Sequence, residues 1–127
     1  MNYLLDTHAL IWYFQDSSNI PSKIADLIDS RENNKCVCSV SLWEIAIKMD
    51  IGKLKIDLSF DDLLGEIANS ELTVLQIDNK HLKGVSKLPF LHKDPFDRLI
   101  IATAIAEKMT IITVDENIQK YDVSWIW

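Results

Sequence analysis

The 127-residue chain carries 13 Lys and Arg against 19 Asp and Glu, a formal net charge of −6, and is 48% hydrophobic. That length fits a single domain, residues 1–127, whose folding buries roughly two-thirds of the unfolded chain's surface. The charge argues against a protein that coats nucleic acid nonspecifically, which needs a broad basic surface. No apolar run approaches the roughly 20 residues of a membrane span, so no membrane association is expected. The opening MNYLLDTHALIWYF has no basic leader and holds Asp6 within its apolar stretch. It does not read as a signal peptide, and a cytoplasmic location is the expectation.

In chain order, Asn2–Leu5 reads as a first strand and residues 7–14 as a helix with Asp6 or Thr7 near its N-cap. Pro21 suits the first turn of a helix running to about Ser30, with Ile24, Leu27 and Ile28 as its apolar stripe. Residues 35–39 read as a second strand. There Cys36 and Cys38 share one face; the spacing is not C-x-x-C, and they read as small buried apolar residues. Ser39 or Ser41 is expected to cap the next helix, which Gly52 stops. An extended link over 53–58, a helix opened by Ser59 and Asp61, a third strand over 72–77 and a short helix over 79–85 follow. Asp94 caps, and Pro95 opens, a helix to about Lys108. Residues 110–114 and 123–126 read as fourth and fifth strands. Strands alternating with helices predict an α/β fold with a central parallel sheet of about five strands.

Four acids sit where apolar runs end or helices begin: Asp6, Glu44, Asp97 and Asp115. Each has a structural explanation when taken alone. Asp6, Asp94 and Asp115 stand at cap positions, Asp97 suits the positive end of a helix dipole, and Glu44 precedes Lys48 by four residues. The set is harder to explain in that way. All four are embedded in apolar surroundings, where a charge is costly unless paired or metal-bound. In a parallel sheet the carboxyl ends of the strands share one edge, where ligands bind. Carboxylates gathered there repel one another, and a hard divalent cation such as Mg²⁺ or Mn²⁺ is the usual reason to collect them.

The segments YLLDTHALIW (3–12), SVSLWEIAIK (39–48), IGKL (51–54), HKDPFDRLIIATA (92–104) and TVDE (113–116), with the closing Tyr121 to Trp127, carry a resemblance. In this order and at this length, the chain resembles PIN-domain ribonucleases of the VapC-like type, the toxin subunits of VapBC toxin–antitoxin pairs. The resemblance runs end to end and implies a three-layer α/β/α PIN-like domain. It also implies an Mg²⁺- or Mn²⁺-dependent endoribonuclease acting on single-stranded RNA, with Asp6, Glu44, Asp97 and Asp115 as the catalytic and metal-binding acids. Glu116 is an alternative to Asp115 as the fourth acid. Asp94 is expected as a cap or supporting group, and the Thr7 and Thr113 hydroxyls as groups that orient phosphate or water, each equally open to a turn role. Family members are usually homodimers, neutralised by a cognate antitoxin segment that crosses the acidic site.

Residues 79–93 form the one basic stretch, without an acid, and lead into Asp94 and Asp97. Candidate RNA contacts are Lys48, Lys53, Lys87, Lys93 and Arg98, set against the plainer reading of a solvated loop. His92 is not expected to ligate metal. Trp12, Trp43, Trp125 and Trp127 are expected mostly in the core, with one or two facing a partner. A phosphoacceptor receiver domain would need an acid pair after the first strand and a late Lys. An aspartyl-nucleophile phosphatase would need an acid where His8 stands. The serious alternative is a catalytically inactive PIN-like module that binds RNA or protein.

Overall fold

The computed structural model describes residues 1–127. Five strands form one sheet: β1 (Asn2–Leu5), β2 (Asn34–Cys38), β3 (Thr73–Leu75), β4 (Thr110–Ile112) and β5 (Trp125–Ile126). The order is β3-β2-β1-β4-β5, and every pairing is parallel. The helices are α1 (Thr7–Phe14), α2 (Ser22–Asp29), α3 (Ser39–Asp50), α4 (Phe60–Ala68), α5 (Asn79–Lys87), α6 (Pro95–Glu107) and α7 (Glu116–Gln119). None is long and apolar enough to cross a membrane.

Alternation along the strands divides the core in two. Tyr3, Leu5, Val37 and Ile112 face a cluster with Ala9, Leu10, Ile24, Ile28, Ile45, Leu63 and Ile67. Leu4, Cys36, Cys38 and Ile111 face the other way, against Ile100, Ile101, Ala104 and Ile118. Helices therefore cover both faces, as a parallel sheet requires, and the three-layer α/β/α arrangement is present. The two free cysteines are buried apolar residues, as their spacing suggested.

β1 lies at the centre. The chain first lays β2 and β3 on one side of it, then β4 and β5 on the other, so connections leave β1 and β4 in opposite directions. In open parallel sheets such a reversal marks the place, outside the carboxyl ends of the strands, where ligands bind. Leu5 is in register with Ile112, so Asp6 and Thr113 leave the sheet side by side, and the Asp6 N–H donates to the Ile112 carbonyl at 3.2 Å.

Several local expectations shift. β2 passes into α3 without a loop, so Cys38 takes the N-cap position with no side-chain cap bond, and neither Ser39 nor Ser41 caps. β3 and β4 are shorter than their apolar runs, because the sheet offers partners for only three residues of each. α5 extends to Lys87, helped by a capping box from Asp78 and His81. The short α7 follows Asp115, which takes the cap position expected there, and lasts only four residues. Gly52 ends the α3 region at φ +74°, the left-handed conformation that favours glycine.

Candidate active site

Asp6 follows β1 and caps α1, accepting from the Ala9 N–H at 2.8 Å through Oδ1. Its Oδ2 accepts from the Thr113 hydroxyl. That hydroxyl in turn accepts from the Asp115 N–H at 3.0 Å. Asp115 caps α7 through the Asn117 N–H at 2.8 Å. Capping therefore does not keep these acids apart: the residues that cap α1 and α7 are linked through Thr113. Glu116, in the first turn of α7, is exposed.

Because α3 starts directly from β2, Ser41, Glu44 and Lys48 fall on one helical face at spacings of three and four. Glu44 is 3% exposed, so a simple surface pair does not describe it. The Thr7 hydroxyl donates to its Oε1 at 2.6 Å and lies 3.1 Å from the Ser41 hydroxyl. Lys48 donates to Oε2 at 2.5 Å. Glu44 raises the Lys48 ammonium above its ordinary range, with Asp94 and Asp97 adding to the effect.

Asp97 stands in the first turn of α6. Asp94 caps that helix, accepting from the Phe96 and Asp97 N–H groups at 2.9 and 3.2 Å. Burial first, then repulsion from Asp94, Asp115, Glu44 and Asp6, pushes the Asp97 carboxyl up to about 8. Burial likewise pushes Asp6 up to about 6, with Asp115 adding to it while Thr113 and Ala9 oppose it. Those repulsions place carboxylates from four separate segments in one electrostatic neighbourhood at the carboxyl edge of the sheet.

No three His, Cys, Asp or Glu side chains stand close enough together to grip a single ion as they are. Asp6, Glu44 and Asp97 are instead tied to protein partners. The donor chemistry still fits a hard divalent cation, since the acidic groups and the Thr7, Ser41 and Thr113 hydroxyls offer oxygen alone. The Asp6 and Asp97 carboxyls are raised by burial first and by neighbouring acids second, a cost to the charged forms that a bound cation would offset.

The basic candidates separate. Lys53, Lys87 and Lys93 are exposed. Lys48 is committed to Glu44. Arg98, a candidate RNA contact from the sequence, is turned inward. It is 9% exposed, its guanidinium donates to the Pro89 and Val85 carbonyls and the Tyr121 hydroxyl, and Phe90 stacks over it at 5.0 Å. Glu107 engages Lys80 at 2.7 Å and the buried His81 at 2.9 Å, removing both from the basic stretch. Trp43 and Trp125 are 62% and 44% exposed, outside the core expected for most of the tryptophans. Sequence reasoning missed Ser41, although it lies three residues before Glu44 on the same helix face. It also missed His92, whose Nε2 lies 3.2 Å from Asp97 Oδ2.

The family model described as PIN domain matches residues 3–124. The chain belongs to the PIN domain family. This PIN domain is similar in structure to VapBC2 from Rickettsia felis bound to a DNA fragment from their promoter, with a TM-score of 0.75 and 20% identity over 99% of this chain and 98% of that one. It is also similar to FitAcB from Neisseria gonorrhoeae, with a TM-score of 0.69 and 17% identity over 98% and 96% of the two chains. A toxin–antitoxin complex from Klebsiella pneumoniae is similar at a TM-score of 0.66 and 15% identity, again over 98% and 96%. At these identities the likeness is one of fold. No curated protein matches this PIN domain.

Proposed function

We propose that this PIN domain is a divalent-metal-dependent endoribonuclease that cleaves single-stranded RNA and acts as a toxin neutralised by a cognate antitoxin. The observation that supports the reading is that Asp6 is linked to Asp115 through Thr113, while Thr7, next to Asp6, holds Glu44, at the carboxyl edge that Asp97 also borders. Asp6, Glu44, Asp97 and Asp115 would hold Mg²⁺ or Mn²⁺, with Asp115 favoured over the exposed Glu116. When bound, such an ion neutralises the scissile phosphate and lowers the pKa of a water that attacks it. Thr7 and Thr113 hold the Glu44 and Asp6 carboxylates in place. Lys53, Lys87 and Lys93 are the candidate contacts for the RNA backbone. The acidic edge suits a basic antitoxin segment that brings an Arg to the carboxylates, and a homodimer is expected from the family resemblance.

The second reading, an inactive binding module, is favoured by the absence of three acids at ion-gripping spacing and by the Lys48–Glu44 pair. Wild type and Asp97→Asn, compared on a fluorescent single-stranded RNA with Mg²⁺ or Mn²⁺ and with EDTA, separate the two. Asp94, not Asp97, caps α6, so Asp97→Asn should leave the chain folded, which a cooperative thermal melt of the variant checks. Cleavage lost in the variant and in EDTA supports the nuclease. Equal cleavage by both proteins would exclude Asp97 from the chemistry, and retained RNA binding without cleavage would favour the module.

A further inference from the structure

His92 lies in the link between α5 and α6, five residues before Asp97. Its Nε2 is 3.2 Å from Asp97 Oδ2, and its Nδ1 is 2.9 Å from the Tyr121 hydroxyl. The two rings meet edge to face with centroids 5.4 Å apart. The Tyr121 oxygen also accepts from Arg98 Nη1 at 3.1 Å and from the His92 backbone N–H at 3.3 Å.

Donor and acceptor accounting settles the direction of this chain. Arginine and the backbone N–H can only donate, and a phenolic oxygen has two lone pairs. Both lone pairs are therefore filled, and the one Tyr121 proton is directed to His92 Nδ1. That nitrogen must then be bare, which leaves the ring proton on Nε2, aimed at Asp97. Arg98 thus sets the polarity of a relay running from Arg98 to Tyr121 to His92 to Asp97. Every member is secured: Tyr121 is 4% exposed, Arg98 9%, and the His92 side chain 12%. Asp97 Oδ2 receives this donor while Oδ1 has no protein partner.

We infer that His92, locked as its Nε2–H tautomer by Tyr121 and Arg98, is a positioning residue that holds Asp97 by one oxygen and leaves the other for a metal or water. The inference rests on the proposed nuclease reading for its consequence, but not for the tautomer. Groups that hold a metal-binding carboxylate typically change metal affinity or activity by about 10- to 100-fold when removed.

Three measurements test it. In the metal-free protein, nitrogen-15 NMR of the histidine ring should show Nε2 protonated and Nδ1 bare, and Tyr121→Phe should weaken that preference. Titration with Mn²⁺, followed by the electron paramagnetic resonance of the free ion, should show about 10-fold weaker binding in His92→Ala. His92→Gln, whose amide nitrogen reaches about as far as Nε2, should bind within a few-fold of wild type. His92→Asn, whose amide matches Nδ1 instead, should resemble His92→Ala. In RNA cleavage, kcat should fall about 10- to 100-fold with KM little changed. The Gln and Asn variants are near in size and polarity, so their difference reads the Asp97 contact even if the Ala variant folds poorly. An Nδ1–H tautomer, or equal Mn²⁺ affinity in the Gln and Asn variants, would overturn the inference. So would an effect confined to KM, which would make His92 a substrate contact. A wild-type protein that binds Mn²⁺ but cuts no RNA would defeat the nuclease reading alone, because the tautomer and affinity measurements still report on His92. A wild type that neither binds Mn²⁺ nor cleaves would overturn both.

Discussion

Thr7 Oγ1 donates to Glu44 Oε1 at 2.6 Å, joining the first residue of α1 to the second turn of α3. Both residues are buried, so the bond has little competition from water. Thr7→Val keeps the shape and deletes the donor to a buried carboxylate, which should cost about 1–3 kcal/mol of stability. Thr7→Ser retains the hydroxyl and should lose less. Urea unfolding of the pair checks this; equal midpoints for the Val variant and wild type would show that Ser41 and Lys48 satisfy Glu44 without Thr7.

Asp94 has two separable effects, since it caps α6 and also repels Asp97. Asp94→Ala should destabilise the fold by about 1 kcal/mol through loss of the cap. Asp94→Asn should keep the cap and remove the charge. The Asp97 carboxyl should then titrate below its value of about 8. Carbon-13 NMR titration of the Asp97 carboxyl reads the second effect, and thermal melts read the first.

The metal-free protein should lose stability as pH rises. Burial and neighbouring acids push Asp97 up to about 8 and Asp6 to about 6, from an ordinary 3.8. Between the ordinary value and these raised ones, the folded chain keeps protons that the unfolded chain has released. The folded state is therefore favoured at the acid end of the window, and its stability declines until Asp97 has ionised. Melts at about pH 5.5 and about pH 8.5 should show the lower midpoint at the higher pH, and Asp97→Asn should flatten the slope. Added Mg²⁺ should raise the midpoint more at the higher pH, because ligands must be deprotonated to bind. A midpoint that climbs with pH in the metal-free protein would count against the burial of these carboxyls.

Lys108 ends α6 in the left-handed conformation, at φ 56° and ψ 50°. A side chain there costs about 1 kcal/mol relative to glycine. Lys108→Gly should accordingly stabilise the protein by up to about 1 kcal/mol, read from a chemical denaturation midpoint, with RNA cleavage unchanged. The residue lies at the amino-terminal side of β4, at the opposite end of the strand from Thr113.

Much of this protein is written in local pattern. The apolar run before Asp6, the Asp94–Pro95 helix start and the alternation of strand and helix specify an α/β domain, because caps, proline and hydrophobic period act over a few residues. The positions of the acids at the ends of those runs, together with the PIN-like motifs, single out Asp6, Glu44, Asp97 and Asp115 as candidates. What they do to one another was not legible, since Thr113 meets Asp6 across 107 residues of sequence. Only the β1–β4 register brings that pair together. Tertiary structure alone decided that Arg98 is buried, with its guanidinium engaged by Tyr121 and Phe90. It also decided that Glu44 faces inward and that His92 meets Asp97. The physical reason is that burial and hydrogen-bond direction depend on what packs against a residue. For these residues, the deciding partners come from distant elements or from the path of a link between helices.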